Sequence, residues 1–302
     1  MALLFRVSMG VLASLLLSGM AAAQTGGKPY GYPESLQVEI DAGRALTFPK
    51  EAARYEPGAY LNQAFFRPSE APAGPAPAII LSHNCGGVGP HLHAWVAEAL
   101  KLGYYVLIPD SLRGATGNCQ LPLKVGFGQR LRDTFDAAKH LASLPTIDPK
   151  RIHVVGFSQG AFVAMWLSSR GVFEALAQPG TPRIARAAAL YGGYCVVSPN
   201  PRRPNGALVL HDDVDRPLLS LFAADDKETP PGTCLELLPK LKEKGAPVEW
   251  HAYPDITHAW DQMEYSGRTK RLPSGAFVTN FYNAAATEDS IRRVFEFLAR
   301  QP

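Results

Sequence analysis

Short, continuous apolar runs that alternate with stretches of helical spacing set the strongest limit on what this chain can become. Ala78-Ile79-Ile80-Leu81-Ser82-His83 and Tyr104-Tyr105-Val106-Leu107-Ile108 are such runs, and residues 151–157, 185–190, 218–223 and 248–253 repeat the pattern. Between and after them, residues 91–102, 130–144, 159–169, 233–244 and 288–300 carry apolar side chains at helical intervals, and residues 61–67 read as a further strand. A strand apolar on both faces must be covered on both faces. The pattern therefore predicts an α/β fold: a mostly parallel sheet with helices on either side. No long polar linker interrupts the alternation, so residues 61–302 read as a single domain and residues 24–60, rich in Gly, Pro and charge, as an N-terminal surface segment.

The first residues have the layout of an export signal. Arg6 is the only charge in residues 1–23, Val11 to Leu17 is an apolar run broken only by Ser14, and Ala21-Ala22-Ala23 offers the small residues of a cleavage site. The apolar core is about half the roughly 20 residues a spanning helix needs, so residues 1–23 read as a signal peptide with no membrane span after its removal. The expected location is exported, periplasmic or secreted. A net charge of +3 over 302 residues gives no basis for a nucleic-acid partner. Four cysteines, Cys85, Cys119, Cys195 and Cys234, form an even set that suggests two disulfides in an exported chain, with three connectivities open. They lack the CxxC pairs of a zinc ribbon. His91-Leu92-His93 has its histidines on different helix faces, and the acidic loop at 211–215 lacks Ca²⁺-loop spacing, so neither reads as a metal site.

The most specific chemical signal is Gly156-Phe157-Ser158-Gln159-Gly160, a G-x-S-x-G motif between a strand and a helix. In that setting the serine sits on a sharp turn at the carboxyl edge of the sheet, with glycines allowing strand and helix to approach. A serine hydroxyl needs a base to take its proton. The expected chain order is serine, acid, histidine. His258, just after the strand at 248–253, is the candidate base; His251 lies within that strand, His211 in the acidic loop, and the other histidines precede Ser158. Asp225 and Asp226 both follow the strand at 218–223, and either could hold the imidazole. Oxyanion donors are expected from the backbone N–H groups of Gln159 and of Cys85, in the Gly-rich loop after residues 78–83.

These motifs resemble the dienelactone hydrolase family of α/β-hydrolases. The likeness runs through His83-Asn84-Cys85-Gly86-Gly87, the Gly103-to-Ser111 block, the Ser158 elbow, Ala224-Asp225-Asp226-Lys227-Glu228-Thr229-Pro230 and Tyr253-Pro254-Asp255-Ile256-Thr257-His258-Ala259-Trp260. It implies a single-domain α/β-hydrolase fold. It selects Asp226, which stands four residues before Pro230 as the family's acid does, and it places the oxyanion position on Cys85. Two features depart from the namesake enzymes: Ser158 stands where they carry cysteine, and Asn84 where they carry glutamate. Arg113 lies one residue from the position of a carboxylate-binding arginine, so Arg113 and Asn84 are substrate-binding candidates. In the implied fold Cys85 and Cys119 follow neighbouring strands, as do Cys195 and Cys234, so the expected bridges are Cys85–Cys119 and Cys195–Cys234. Residues 263–283 read first as a surface excursion, with the alternative that Tyr265, Phe277, Phe281 and Tyr282 overhang the site. The expected function is hydrolysis of a carboxylic ester or lactone, a small-molecule substrate, through Ser158, His258 and Asp226 without metal or organic cofactor. The rivals are a peptidase or amidase with the same side chains and a non-catalytic binding protein. The sequence leaves oligomeric state open.

Overall fold

The computed structural model describes residues 28–300 apart from 71, 116, 201, 202 and 273; the segment read as a signal peptide lies outside the described residues. A seven-stranded sheet forms the centre, in the order β1-β3-β2-β4-β5-β8-β9. Its members are β1 (Ala64–Phe66), β2 (Ala76–Ser82), β3 (Tyr105–Ile108), β4 (Ile147–Phe157), β5 (Ala187–Leu190), β8 (Leu218–Ala223) and β9 (Val248–Tyr253). Only β1 runs antiparallel, against β3; every other pairing in this sheet is parallel. Two small antiparallel pairs stand apart: β6 (Val196–Val197) with β7 (Ala207–Leu208), and β10 (Thr269–Arg271) with β11 (Phe277–Thr279).

The period-two geometry of a strand divides each central run between two cores. In β2, Ala76, Ala78 and Ile80 pack on one face and Ile79 and Leu81 on the other; in β4, Ile152 and Val154 oppose Val155 and Phe157. The first face is covered by α1 (Pro33–Ala42), α3 (Phe127–Ala142), α4 (Gln159–Ser168), α5 (Arg170–Leu176) and α6 (Gly232–Glu243). The second is covered by α2 (Leu92–Lys101) and α7 (Ala284–Leu298). Asn283 caps α7, its side chain accepting from the Ala286 N–H at 2.9 Å. Both expected disulfides are present, Cys85–Cys119 and Cys195–Cys234.

The N-terminal segment differs from its reading as surface wrapping. It contains α1, which packs on α3 and sinks Leu36 and Ile40 into the first core. Tyr30 pairs with the β7 region by donating its N–H to Gly206 and accepting from Leu208. The segment is therefore part of the cooperative fold. Leu36→Ala, at a fully buried site, should cost about 3 kcal/mol in urea unfolding, as core leucine truncations do. A loss below about 1 kcal/mol would place the segment outside the cooperative unit.

Candidate active site

The parallel strands deliver their following loops to one edge, and the sequence-predicted residues meet there. Ser158 caps α4 with φ +52° and ψ −109°, a left-handed strained conformation. The close packing that enforces it leaves no room for side chains on either side. A Cβ on Gly156 would fall 2.0 Å from the Gly160 carbonyl oxygen, and one on Gly160 would fall 1.9 Å from that of Ser82. Gln159 becomes the first helical residue of α4, where a backbone N–H has no intrahelical acceptor.

His258, in the loop after β9, places Nε2 3.0 Å from Ser158 Oγ and Nδ1 2.7 Å from Asp226 Oδ2. All three side chains are buried. Asp226 is held from every side: Oδ1 accepts from the N–H groups of Glu228 and Thr229 at 2.8 and 2.9 Å. Thr229 Oγ1 lies 2.9 Å from both Asp226 Oδ2 and the Tyr191 carbonyl, so its single proton can serve either. Asp225 is exposed and its side chain has no part in this contact. Burial pushes the Asp226 carboxyl up, but the His258 imidazole and the Thr229 donors outweigh it and hold the group below its ordinary value. For His258, burial works downward, and the Asp226 and Glu228 carboxylates reverse it into a net rise. The His258 ring packs edge-on against Tyr191, with centroids 5.0 Å apart; Tyr191 donates in turn to Asp261 at 2.9 Å.

The loop carrying Cys85 rests on a group the sequence did not point to. Asn84 carbonyl oxygen accepts from His83 Nδ1 at 2.7 Å and, more weakly, from Arg130 Nη1 at 3.5 Å and Gly87 N at 3.4 Å. In a trans peptide the carbonyl and the next N–H point opposite ways, so these donors turn the Cys85 N–H away from the core. His83 Nε2 accepts from the Ser111 N–H at 3.2 Å, which with the Nδ1 donation defines one neutral tautomer. Full burial, with the Arg130 cation beside it, holds the His83 pKa well below the ordinary value and preserves that neutral form. Arg130, itself buried and pushed down to about 10 by desolvation, also donates to the His83 carbonyl. Asn118 braces the far side: its N–H donates to the Cys85 carbonyl at 2.6 Å, and its amide is paired with the Gln159 side chain. Chain order sets His83 aside because it precedes Ser158. Arg130 reads from sequence only as the start of a helix.

Two cavities open from Ser158. The larger, about 470 Å³, is lined by Gln159 and a group of aromatic side chains; the smaller, about 340 Å³, by His258, Gln262 and Asn280. Ser158, Cys85, Cys119 and Lys270 border both. Among the described residues no group of three or more His, Cys, Asp or Glu is placed to hold a metal ion.

The profile of the dienelactone hydrolase family matches residues 63–301, nearly the whole domain. The chain belongs to the dienelactone hydrolase family. Within the range of this family of carboxylic ester hydrolases, a Methylorubrum extorquens protein assigned by inference as a carboxymethylenebutenolidase is 23% identical over 206 residues, 65% of this chain and 67% of that protein. The mouse acylamino-acid-releasing enzyme is 26% identical over 237 residues, but the match covers 66% of this chain and only 31% of the mouse enzyme. Among solved structures, a Klebsiella pneumoniae protein assigned as a dienelactone hydrolase aligns with TM-score 0.59 at 22% identity, covering 78% of this chain and 92% of that one. Propionate-bound esterase 2 of Thermogutta terrifontis aligns with TM-score 0.56 at 14% identity over 79% and 91%. At these identities the structural likeness is one of fold.

Against the dienelactone hydrolase pattern, Arg113 is placed elsewhere than the substrate-binding position expected of it. Its guanidinium pairs with Asp133 at 2.8 Å and donates to the Ser111 and Arg44 carbonyls, and it lines neither cavity at Ser158. It ties the N-terminal segment, through Arg44, to α3, through Asp133. Asn84 does line the smaller cavity, but its Oδ1 accepts from the Gly86 N–H at 2.7 Å and so shapes the loop. Residues 263–283 are more than a surface excursion: β10 puts Lys270 against both cavities, and Tyr265 and Phe281, each about half exposed, line the smaller one, while the exposed Phe277 lines neither. The His258 imidazole should titrate above the ordinary histidine value of 6.5 by proton NMR. In Asp226→Asn it should fall, because burial then acts with less opposition. A midpoint unchanged by that substitution would rule out the pairing.

Proposed function

We propose that this chain is an exported serine hydrolase that cleaves a carboxylic ester or lactone through an acyl-enzyme intermediate. The reading is carried by one observation, the continuous contact from Ser158 Oγ through the His258 ring to Asp226. His258 Nε2 takes the Ser158 proton as Oγ bonds to the substrate carbonyl carbon. Negative charge then gathers on the carbonyl oxygen, where the N–H groups of Gln159 and Cys85 donate to it. Asp226 stabilises the imidazolium and fixes its tautomer. As the intermediate collapses, the bond to the alcohol oxygen breaks and His258 Nε2 returns the proton to it. Water enters, gives a proton to His258 and attacks the acyl carbon; Ser158 leaves with that proton and the carboxylic acid is released. Export fits the two disulfides, which persist in an oxidising compartment.

Ser158→Ala should reduce kcat/KM on p-nitrophenyl acetate by at least about 10³-fold, with the thermal midpoint retained. An unchanged rate would remove Ser158 from the chemistry. The likeness to acylamino-acid-releasing enzymes keeps amides in view, and matched ester and amide substrates separate the two reactions.

The raised His258 pKa also fixes the acid side of the pH profile. Below that pKa the imidazole is protonated and cannot act as base, so kcat/KM should fall with decreasing pH at a midpoint above 6.5. Glu228 Oε2 lies 3.9 Å from His258 Nε2. Glu228→Gln removes a charge that favours the imidazolium and should move this midpoint to lower pH. A midpoint that stays fixed or rises would contradict the electrostatic role of Glu228.

A further inference from the structure

Cationic side chains border both cavities at Ser158, but His258 lines only one of them, and this gives each a direction. In ester cleavage the leaving oxygen must receive a proton from the imidazole, so the alcohol departs on the side that His258 lines. That is the smaller cavity, beneath the β10–β11 hairpin, where Arg268 and Lys270 stand at the wall. The acyl group must then occupy the other one, which Gln159 lines and His258 does not.

The acyl side is walled by four rings. Phe127 lies 5.5 Å from Phe162 and 5.4 Å from Trp166, and Tyr30 lies 6.3 Å from both Phe127 and Trp166, centroid to centroid. The angles between neighbouring rings, from 55° to 73°, suit edge-to-face contact. The polar tips of these rings are already engaged: Tyr30 OH donates to Glu39 at 2.8 Å, and Trp166 Nε1 donates to the Leu208 carbonyl at 3.1 Å. What these four rings offer the cavity is π and hydrocarbon surface, while Arg203, Glu228, Lys270 and Arg271 line other parts of it. Its volume of about 470 Å³ is ample for an aryl group and a short chain to the carbonyl, since a cavity of roughly 150 Å³ already admits benzene.

We propose that the preferred substrates are esters of aryl-bearing carboxylic acids, the ring seated among Tyr30, Phe127, Phe162 and Trp166 and the alcohol leaving past His258. This specificity rests on the serine hydrolase reading above. It is separable from that reading, because an activated acetate reports the chemistry without filling the acyl cavity.

Two isomeric esters test the assignment. Methyl 3-phenylpropanoate carries its ring on the acyl side and phenethyl acetate on the alcohol side, with the same atoms and an alkyl alcohol in each. The expected ratio of kcat/KM, acyl-ring over alcohol-ring, is about tenfold or more. A ratio of fivefold or less, or no turnover of either isomer by an enzyme that hydrolyses p-nitrophenyl acetate, overturns the assignment and leaves the serine chemistry standing. Failure on p-nitrophenyl acetate itself strikes the hydrolase reading. Phe162→Leu should lower the ratio at least about threefold in a protein whose thermal midpoint shows it folded; an unmoved ratio overturns the role of the rings. If that variant does not fold, the ratio for the wild-type isomer pair decides by itself.

Discussion

The turn at Ser158 is the constraint on which the rest of the site depends. A non-glycine residue held at φ +52° is costly by about 1–3 kcal/mol and persists only where its surroundings fix it. Here they do, because β4 lies between β2 and β5 in the middle of the sheet, and the β4–α4 turn is pressed against the end of β2. The same packing brings the β2 loop, with Cys85, beside the start of α4, with Gln159. The loops after β8 and β9 bring Asp226 and His258 to the same edge. Parallel pairing makes this convergence unavoidable, since every strand then ends on one side. The lone antiparallel strand, β1, contributes none of these residues.

Underneath that edge lies an arrangement that is expensive to build. A buried arginine and a buried aspartate are tolerated only when paired and hydrogen-bonded. Arg130 donates to the backbone of residues 83 and 84, and Asp133 accepts from Arg113 and from Gln129 at 2.8 Å. Burial pushes the Asp133 carboxyl up, and Arg113 opposes that rise. The neutral His83 ring completes the support by accepting on one nitrogen and donating on the other. The return on this cost is a Cys85 peptide with little freedom to rotate. Donors fixed before the reaction need no reorientation as charge develops, which is where electrostatic catalysis has its advantage over water.

The central strands and most helices were legible because each buries a continuous apolar run or a helical stripe. Ser158 and His258 were legible because chain order and strand ends suffice to place them; the same reasoning left Asp225 and Asp226 open, and the family resemblance selected Asp226. The helix α1 escaped notice: Leu36, Val38 and Ile40 alternate with Gln37 and Glu39 like a strand within Gly- and Pro-rich surroundings, whereas the helix buries Leu36 and Ile40, one turn apart, and leaves Val38 70% exposed. The hairpin β10–β11 gave no signal, since Thr269, Lys270 and Arg271 are all exposed and carry no apolar pattern. The aromatic wall was hidden differently. Phe162 and Trp166 lie on α4, which is apolar all round, and Phe127 and Tyr30 come from distant segments, so nothing in sequence distinguishes a ring that faces a cavity from one that faces the core.

The hairpin joins what the sequence kept apart. Glu228 stands two residues after Asp226 and reaches β10, where Lys270 Nζ lies 2.7 Å from its Oε2, and it also accepts from Asn280 just past β11. One carboxylate thus helps to anchor the wall between two cavities and, at 3.9 Å, acts on the His258 ring. Lys270 opposes it, lowering the tendency of His258 to hold a proton. Any displacement of the hairpin that separates Lys270 from Glu228 would therefore alter the shape of both cavities and the basicity of the imidazole together. In the proposed mechanism, substrate fit and proton transfer therefore share a single ion pair, whose strength is greatest when the hairpin excludes water from it.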